Sequence, residues 1–190
     1  MLERVTDHLA DPPSWLPRQR FWTLRARSTI LATGALERHI AFGNNDRPGV
    51  MTANAGRAYL NRFAVQPGEN IVVATNNDSA YASASDLASS GARVVVLDSR
   101  SSVPGTLQSL CEAGDIQLRL DSAPATVLGG KTVAGLQLAQ RQGGGWQSSD
   151  RIDCDLILVS GGWSPVVNLF SHRGVKPIWN SELALSLIHI

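Results

Sequence analysis

The chain has 190 residues, 43% apolar and 17% charged, the composition of a globular protein and not of a disordered, collagen-like or membrane-spanning one. Net charge is +1, unevenly spread: nine arginines against five acids give residues 1–62 a charge of +4, and the remainder carries −3. No arginine cluster is interleaved with aromatics, so nucleic acid is not an expected partner.

The longest uncharged apolar stretch, 156–171, is broken by Gly161, Gly162 and Pro165 and falls short of the roughly 20 residues that a membrane span needs. Met1 is followed by Glu3 and Asp7, not by the basic and apolar regions of a secretory signal. Cys111 and Cys154 lie far apart with no CxxC, and His8, His39 and His172 are widely spaced. A cytoplasmic protein with no membrane segment, no disulfide framework and no metal site is expected.

In chain order, Val5–Leu9 reads as the end of a strand, and the prolines at 12, 13 and 17 make a loop. Residues 20–34 alternate and then run apolar, which predicts an antiparallel strand feeding a buried strand that stops at Gly34. Met51–Val65 carries a helical stripe through Ala55, Tyr59, Leu60 and Phe63, ended by Pro67-Gly68. Ile71–Thr75 and Arg93–Asp98 are β-branched runs on either side of a small-residue helix, Ser79–Ser90, and together they predict a βαβ unit. A helix over Thr106–Ala113, a strand over Ile116–Leu120, a meander through Thr126–Leu128 and Val133–Arg141, and an apolar strand over Leu156–Val159 complete the reading. Gly143–Ser149 is the low-complexity patch.

Ligands of parallel α/β sheets sit at the carboxyl ends of the strands, beside the N-termini of the following helices. There the βαβ unit has Thr75-x-Asn77-x-x-Ala80, where a dinucleotide fingerprint has G-x-G-x-x-G. Glycine is favoured at these points because the backbone must turn tightly and approach a pyrophosphate. Asn76, Asn77, Asp78 and Ser79 are therefore either contacts to a cofactor or simple caps of the helix. Asp98 falls where a ribose-binding acid would stand, and without the glycines it reads as a strand-end residue. Ser160 and Ser164 lack the G-x-S-x-G context of a hydrolase nucleophile.

Two further segments carry more information. Thr29–Arg38 places Thr33, Gly34 and Ala35 at a strand end, and Leu156–Pro165 places Gly161, Gly162 and Trp163 after another. The order of these segments around the βαβ unit resembles the two-dinucleotide-domain flavoproteins, which include thioredoxin reductase. The absence of CxxC speaks against a disulfide reductase. Phe42–Met51, Ala74–Tyr81 and Asp155–Pro165 narrow the likeness: from about Glu3 to Leu183 the chain resembles the alpha subunit of bacterial heterotetrameric sarcosine oxidase.

That resemblance implies an FAD/NAD(P)-binding, Rossmann-like α/β fold of the thioredoxin reductase type with a small β-meander, here incomplete. Residues 1–66 are expected to be part of a dinucleotide-binding domain, 67–154 an inserted βαβ domain with meander, 155–184 a return to the first domain, and 185–190 a non-native tail. It also implies an oxidoreductase that demethylates sarcosine to glycine, with formaldehyde or methylene-tetrahydrofolate and hydrogen peroxide as further products. NAD would be held by this subunit, FAD by the beta subunit and FMN at the alpha–beta interface, in a complex with beta, gamma and delta subunits. The chain lacks the family's ferredoxin-like segment, first G-x-G-x-x-G and aminomethyltransferase-like domain, so it is expected to be inactive alone. Thr33, Gly34, Ala35, Gly161, Gly162 and Trp163 are the expected cofactor-cleft residues, with Asn76, Asn77, Asp78 and Ser79 beside them, and none is a catalytic acid, base or nucleophile. The alternatives are the alpha subunit of a related amine, opine or proline dehydrogenase, or a non-catalytic docking scaffold.

Overall fold

In the computed structural model, which describes residues 1–172, 174, 176–181 and 185–187, the long apolar runs become strands of one parallel sheet. The elements are β1 (Leu2–Arg4), β2 (Gln19–Phe21), β3 (Ala35–Glu37), β4 (Val50–Thr52), α1 (Ala53–Phe63), β5 (Asn70–Thr75), α2 (Ala80–Ser89), β6 (Arg93–Asp98), α3 (Gly105–Ala113), β7 (Gln117–Arg119), β8 (Ser122–Leu128), β9 (Gly135–Gln142), β10 (Gly145–Ile152), β11 (Leu156–Ser160), β12 (Trp163–Pro165), α4 (Asn168–Ser171), β13 (Ile178–Asn180) and β14 (Leu185–Leu187).

Two compact units divide the chain, Met1–Ala32 and Thr33–Ile190. In the first, β1 and β2 pair antiparallel with Glu3 opposite Arg20, the Trp22 indole N–H donates to Glu3 Oε2 at 2.7 Å, and Asp7 gathers Arg18 and Gln19.

The second unit is built on a five-stranded sheet of order β4-β11-β5-β6-β7, with every pairing parallel. Alternate residues of its strands feed two cores. Ile71, Val73, Val94, Val96, Leu156 and Leu158 pack with Ala53, Tyr81, Leu87 and Cys111 from α1–α3. Val72, Ala74, Leu97, Ile157 and Val159 pack with Val127, Leu136, Leu138 and Cys154 from the side of the antiparallel meander β8-β9-β10. Burial on both faces explains why these strands read as unbroken apolar runs. A smaller sheet, β13-β14-β12-β3, completes the unit.

The βαβ unit, α3, β7 and β11 lie where the periodicity predicts them, and both cysteines are buried. Three readings change. The long strand predicted over residues 20–34 is confined to β2, and residues 22–34 carry no strand, with Ile30 92% exposed; apolar alternation marks a face to be covered, but pairing needs a neighbouring strand, and β2 meets only β1. Val5–Leu9 forms turns after β1 instead of a strand. The buried face of α1 runs through Ala53 and Gly56, leaving Tyr59 and Phe63 exposed. The low-complexity patch Gly143–Ser149 forms the hairpin turn and first half of β10. Of the expected tail, 188–190 lie outside the described residues and 185–187 form β14. No helix among the described residues is long and apolar enough to cross a membrane.

Candidate functional site

The three groups of candidate residues, widely separated in sequence, meet at the carboxyl ends of β11 and β5. β3 pairs antiparallel with β12, setting Ala35 opposite Pro165 and Glu37 opposite Trp163. The contact extends past both strands: the Thr33 hydroxyl donates to the Val166 carbonyl, Val166 N–H donates to Gly34 O at 3.0 Å, Arg38 N–H to Gly162 O at 2.8 Å, and Gly161 N–H to Arg38 O at 2.8 Å. These bonds form a zipped ledge of main chain. Glu37 on its edge accepts the Asn54 N–H at 2.7 Å, capping α1, whose own Thr52 makes no side-chain cap.

Gly34 and Gly161 do different things on this ledge. Gly34 has φ +73°, and a Cβ built there would meet nothing within 4 Å. A Cβ on Gly161 would press on Arg38 O and Ile40 Cγ1, each at 3.1 Å. Gly161 thus lets two chain segments approach, whereas Gly34 leaves an open backbone face.

The turn after β5 is tied to the ledge by side chains. Asn77 Nδ2 donates to Ser160 O at 3.0 Å and Ser160 Oγ at 3.2 Å. The Trp163 indole N–H donates to Ser79 Oγ at 2.8 Å, and Ser79 Oγ donates to Asn77 Oδ1 at 2.5 Å. Asn77 Oδ1 also accepts the Ser79 N–H, an Asx turn that starts α2. Asp78 points the other way, to Arg100 Nη1 at 2.7 Å.

Asp98 is fully buried at the end of β6. Its Oδ1 accepts Arg100 N–H and Nε–H at 3.0 Å each, and its Oδ2 accepts Arg100 Nη2–H at 2.7 Å and the Tyr81 hydroxyl at 2.9 Å. Burial, and then the Asp98 charge, push the Tyr81 phenol up, so it stays a donor. Sequence reasoning missed Tyr81, Arg100 and Ser160 as parts of this network. The signal for Arg100 was its place two residues after Asp98, within reach of both carboxylate oxygens.

A cavity of about 360 Å³ beside the turn is lined by Ile40, Thr75, Asn76, Ser99, Pro124 and Trp146, among others, with no charged side chain. The larger, 510 Å³ cavity lies at the amino ends of β5 and β6, near Asn70 and Arg93, the wrong end for a ligand of a parallel sheet. Among the described residues no group of three His, Cys, Asp or Glu side chains is placed to hold a metal ion.

Comparison with known proteins separates sequence likeness from fold likeness. The chain is 38% identical to sarcosine oxidase subunit alpha of Rhizobium meliloti (strain 1021) over 187 residues, covering 98% of this chain and 18% of that protein. It is 39% identical to the same subunit of Corynebacterium sp. (strain P-1) over 189 residues, covering 96% of this chain and 19% of that protein. The chain is homologous to one segment of sarcosine oxidase alpha subunits. It spans about a fifth of the length of these sarcosine oxidase relatives. No family model matches the chain. Thioredoxin reductase from T. acidophilum superposes with a TM-score of 0.60 at 14% identity, over 75% of this chain and 46% of that one, and the Lactococcus lactis enzyme with 0.59 at 20%, over 75% and 47%. At such identities the likeness establishes the fold, a thioredoxin-reductase-like α/β architecture.

Proposed function

We propose that the chain serves as part of the alpha subunit of a sarcosine oxidase-type flavoprotein oxidoreductase and that its β3–β12 ledge forms one wall of a dinucleotide cleft. The observation that carries this reading is the zipping of Thr33–Ala35 to Gly161–Val166, which leaves the backbone of Gly34 open where a cofactor can approach closely. Homology to the alpha subunits supports the reaction class. In that reaction sarcosine, dioxygen and water give glycine, formaldehyde and hydrogen peroxide, and tetrahydrofolate takes up the one-carbon unit when present.

In this reading NAD is the nucleotide of the cleft, and it supplies redox capacity or structural support there when bound. FAD and FMN belong to the assembled complex with beta, gamma and delta subunits, in the cytoplasm. This chain's own residues supply shape: Thr33, Gly34 and Ala35 provide close backbone approach, Gly161 and Gly162 the turn that closes the ledge, and Trp163 an aromatic edge held by Ser79. None of them moves a proton or attacks a carbon.

Isothermal titration of NAD, with FAD and FMN as comparisons, into the full-length protein and its Gly34→Val variant tests the ledge. Binding of NAD that weakens at least about tenfold in the variant is expected, because a β-branched side chain fills the open face and strains a positive φ. Equal binding by both proteins removes the ledge from the site. Absence of binding by folded protein favours a docking scaffold.

A further inference from the structure

The turn between β5 and α2 occupies the position at which a Rossmann unit cradles a pyrophosphate, yet its residues do not fit one. Such a cradle needs turn N–H groups free to face the phosphate and a strand-end acid free to take a ribose hydroxyl. Here the Asn77 N–H donates to Thr75 Oγ1 at 3.1 Å and the Ser79 N–H to Asn77 Oδ1 at 3.1 Å. Thr75 and Asn77, which replace the first two glycines, are 2% and 4% exposed. Asp98 has both oxygens filled by Tyr81 and Arg100. No charged side chain lines the neighbouring 360 Å³ cavity, and the two arginines of the adjoining one are already paired, Arg100 with Asp98 and Asp78 and Arg141 with Asp121.

We infer that this turn is a latch: Asn77, Thr75 and Ser79 take the place of a bound pyrophosphate and bolt the βαβ unit to the Ser160–Trp163 segment. Each component has its partner across the join. Asn77 Nδ2 holds the Ser160 carbonyl and hydroxyl, the Thr75 hydroxyl reaches the same carbonyl at 3.2 Å, and Ser79 Oγ holds the Trp163 indole. Asp78 and Arg100 strap the far side of the turn to the end of β6. Buried polar networks of this kind rigidify only when every member is satisfied, and among the described residues no buried side-chain nitrogen or oxygen lacks a partner. The βαβ unit therefore takes no dinucleotide of its own. Its function is to fix the angle at which β11 delivers Gly161, Gly162 and Trp163 to the ledge.

Hydrogen exchange read by mass spectrometry on the full-length protein tests the latch, following the peptides that cover Thr75–Tyr81 and Ser160–Pro165. Without nucleotide both are expected to be protected about a hundredfold or more, and saturating NAD leaves the Thr75–Tyr81 peptide within about twofold of that rate. Asn77→Ala is expected to speed exchange in both peptides together by at least about tenfold. Trp163→Phe, which removes only the indole donor, does so more mildly. Should Asn77→Ala not fold, the wild type and Trp163→Phe decide the matter. Slowing of the Thr75–Tyr81 peptide by NAD, free-peptide exchange there in its absence, or variants that leave Ser160–Pro165 unchanged would each overturn the latch. If NAD binds nowhere, the ledge reading falls while the exchange of the two variants still judges the latch.

Discussion

The Tyr81 hydroxyl donates 2.9 Å to Asp98 Oδ2 in the interior between α2 and β6, on the same oxygen that receives Arg100 Nη2–H. Tyr81→Phe removes one of four donors to this carboxylate and is expected to lower unfolding free energy by about 1 kcal/mol. Arg100→Ala keeps the backbone N–H but removes both guanidinium donors and leaves Asp98 buried without its ion-pair partner, with an expected loss of about 3 kcal/mol or more. Urea unfolding of the two variants checks the ranking, and equal losses would mean that the Arg100 pair adds no more to stability than the single Tyr81 hydrogen bond.

Asp86 joins α2 to α1 by accepting Arg57 Nε–H and Asn61 Nδ2–H at 2.6 Å each. Burial opposes its ionisation, but these two hydrogen bonds hold the carboxyl below its ordinary 3.8. A depressed carboxylate stabilises the fold above its unfolded-state pKa, and that contribution vanishes as pH falls through the lower folded value. The variant Asp86→Asn is therefore expected to lose about 1 kcal/mol at pH 7 and to lose less than the wild type between pH 4 and 2. Thermal melts across that range read the difference in slope.

Cys154 shows the opposite sign. Burial, then the neighbouring charges of Asp155 and Asp153, push its thiol up to about 12 from an ordinary 9.0. Above pH 9 the unfolded chain releases this proton and the folded chain keeps it, so stability falls by on the order of 1 kcal/mol per pH unit until the folded pKa is reached. Cys154→Ala flattens that decline, and iodoacetamide labels native Cys154 only as fast as the protein opens.

Gly56 sits where α1 crosses β11, and a Cβ there would stand 2.8 Å and 2.9 Å from the two methyl carbons of fully buried Leu158. Alanine in a helix interior normally gains up to about 1 kcal/mol over glycine. At this site the overpacking outweighs that gain, and Gly56→Ala is expected to destabilise by about 1–2 kcal/mol in denaturant unfolding.

The parts of the fold that could be read from sequence are those whose signal is local. Ile71–Thr75, Arg93–Asp98 and Leu156–Val159 are apolar on both faces because both faces are buried, and their identity as parallel strands followed from that and from the helices between them. Residues 20–34 alternated and then ran apolar, but past Phe21, where the pairing of β2 with β1 ends, no strand forms. β4 was hidden because Val50–Thr52 runs directly into α1, and β10 because Gly-, Ser- and Gln-rich sequence hides a hairpin arm. In the site, the Asx turn that Asn77 makes before α2 was legible from residue type, whereas the bond from Trp163 to Ser79 spans 84 positions and no local pattern announces it.

Placing β11 between β4 and β5 also sets the order of assembly during synthesis. The strand that closes the centre of the sheet is made after all four of its companions and after the whole meander, so β4 and β5 each wait with an open parallel edge. At a translation rate of about 5–20 residues per second, the nascent chain carries the exposed apolar edge of Ile71–Ala74 for several seconds before β11 covers it.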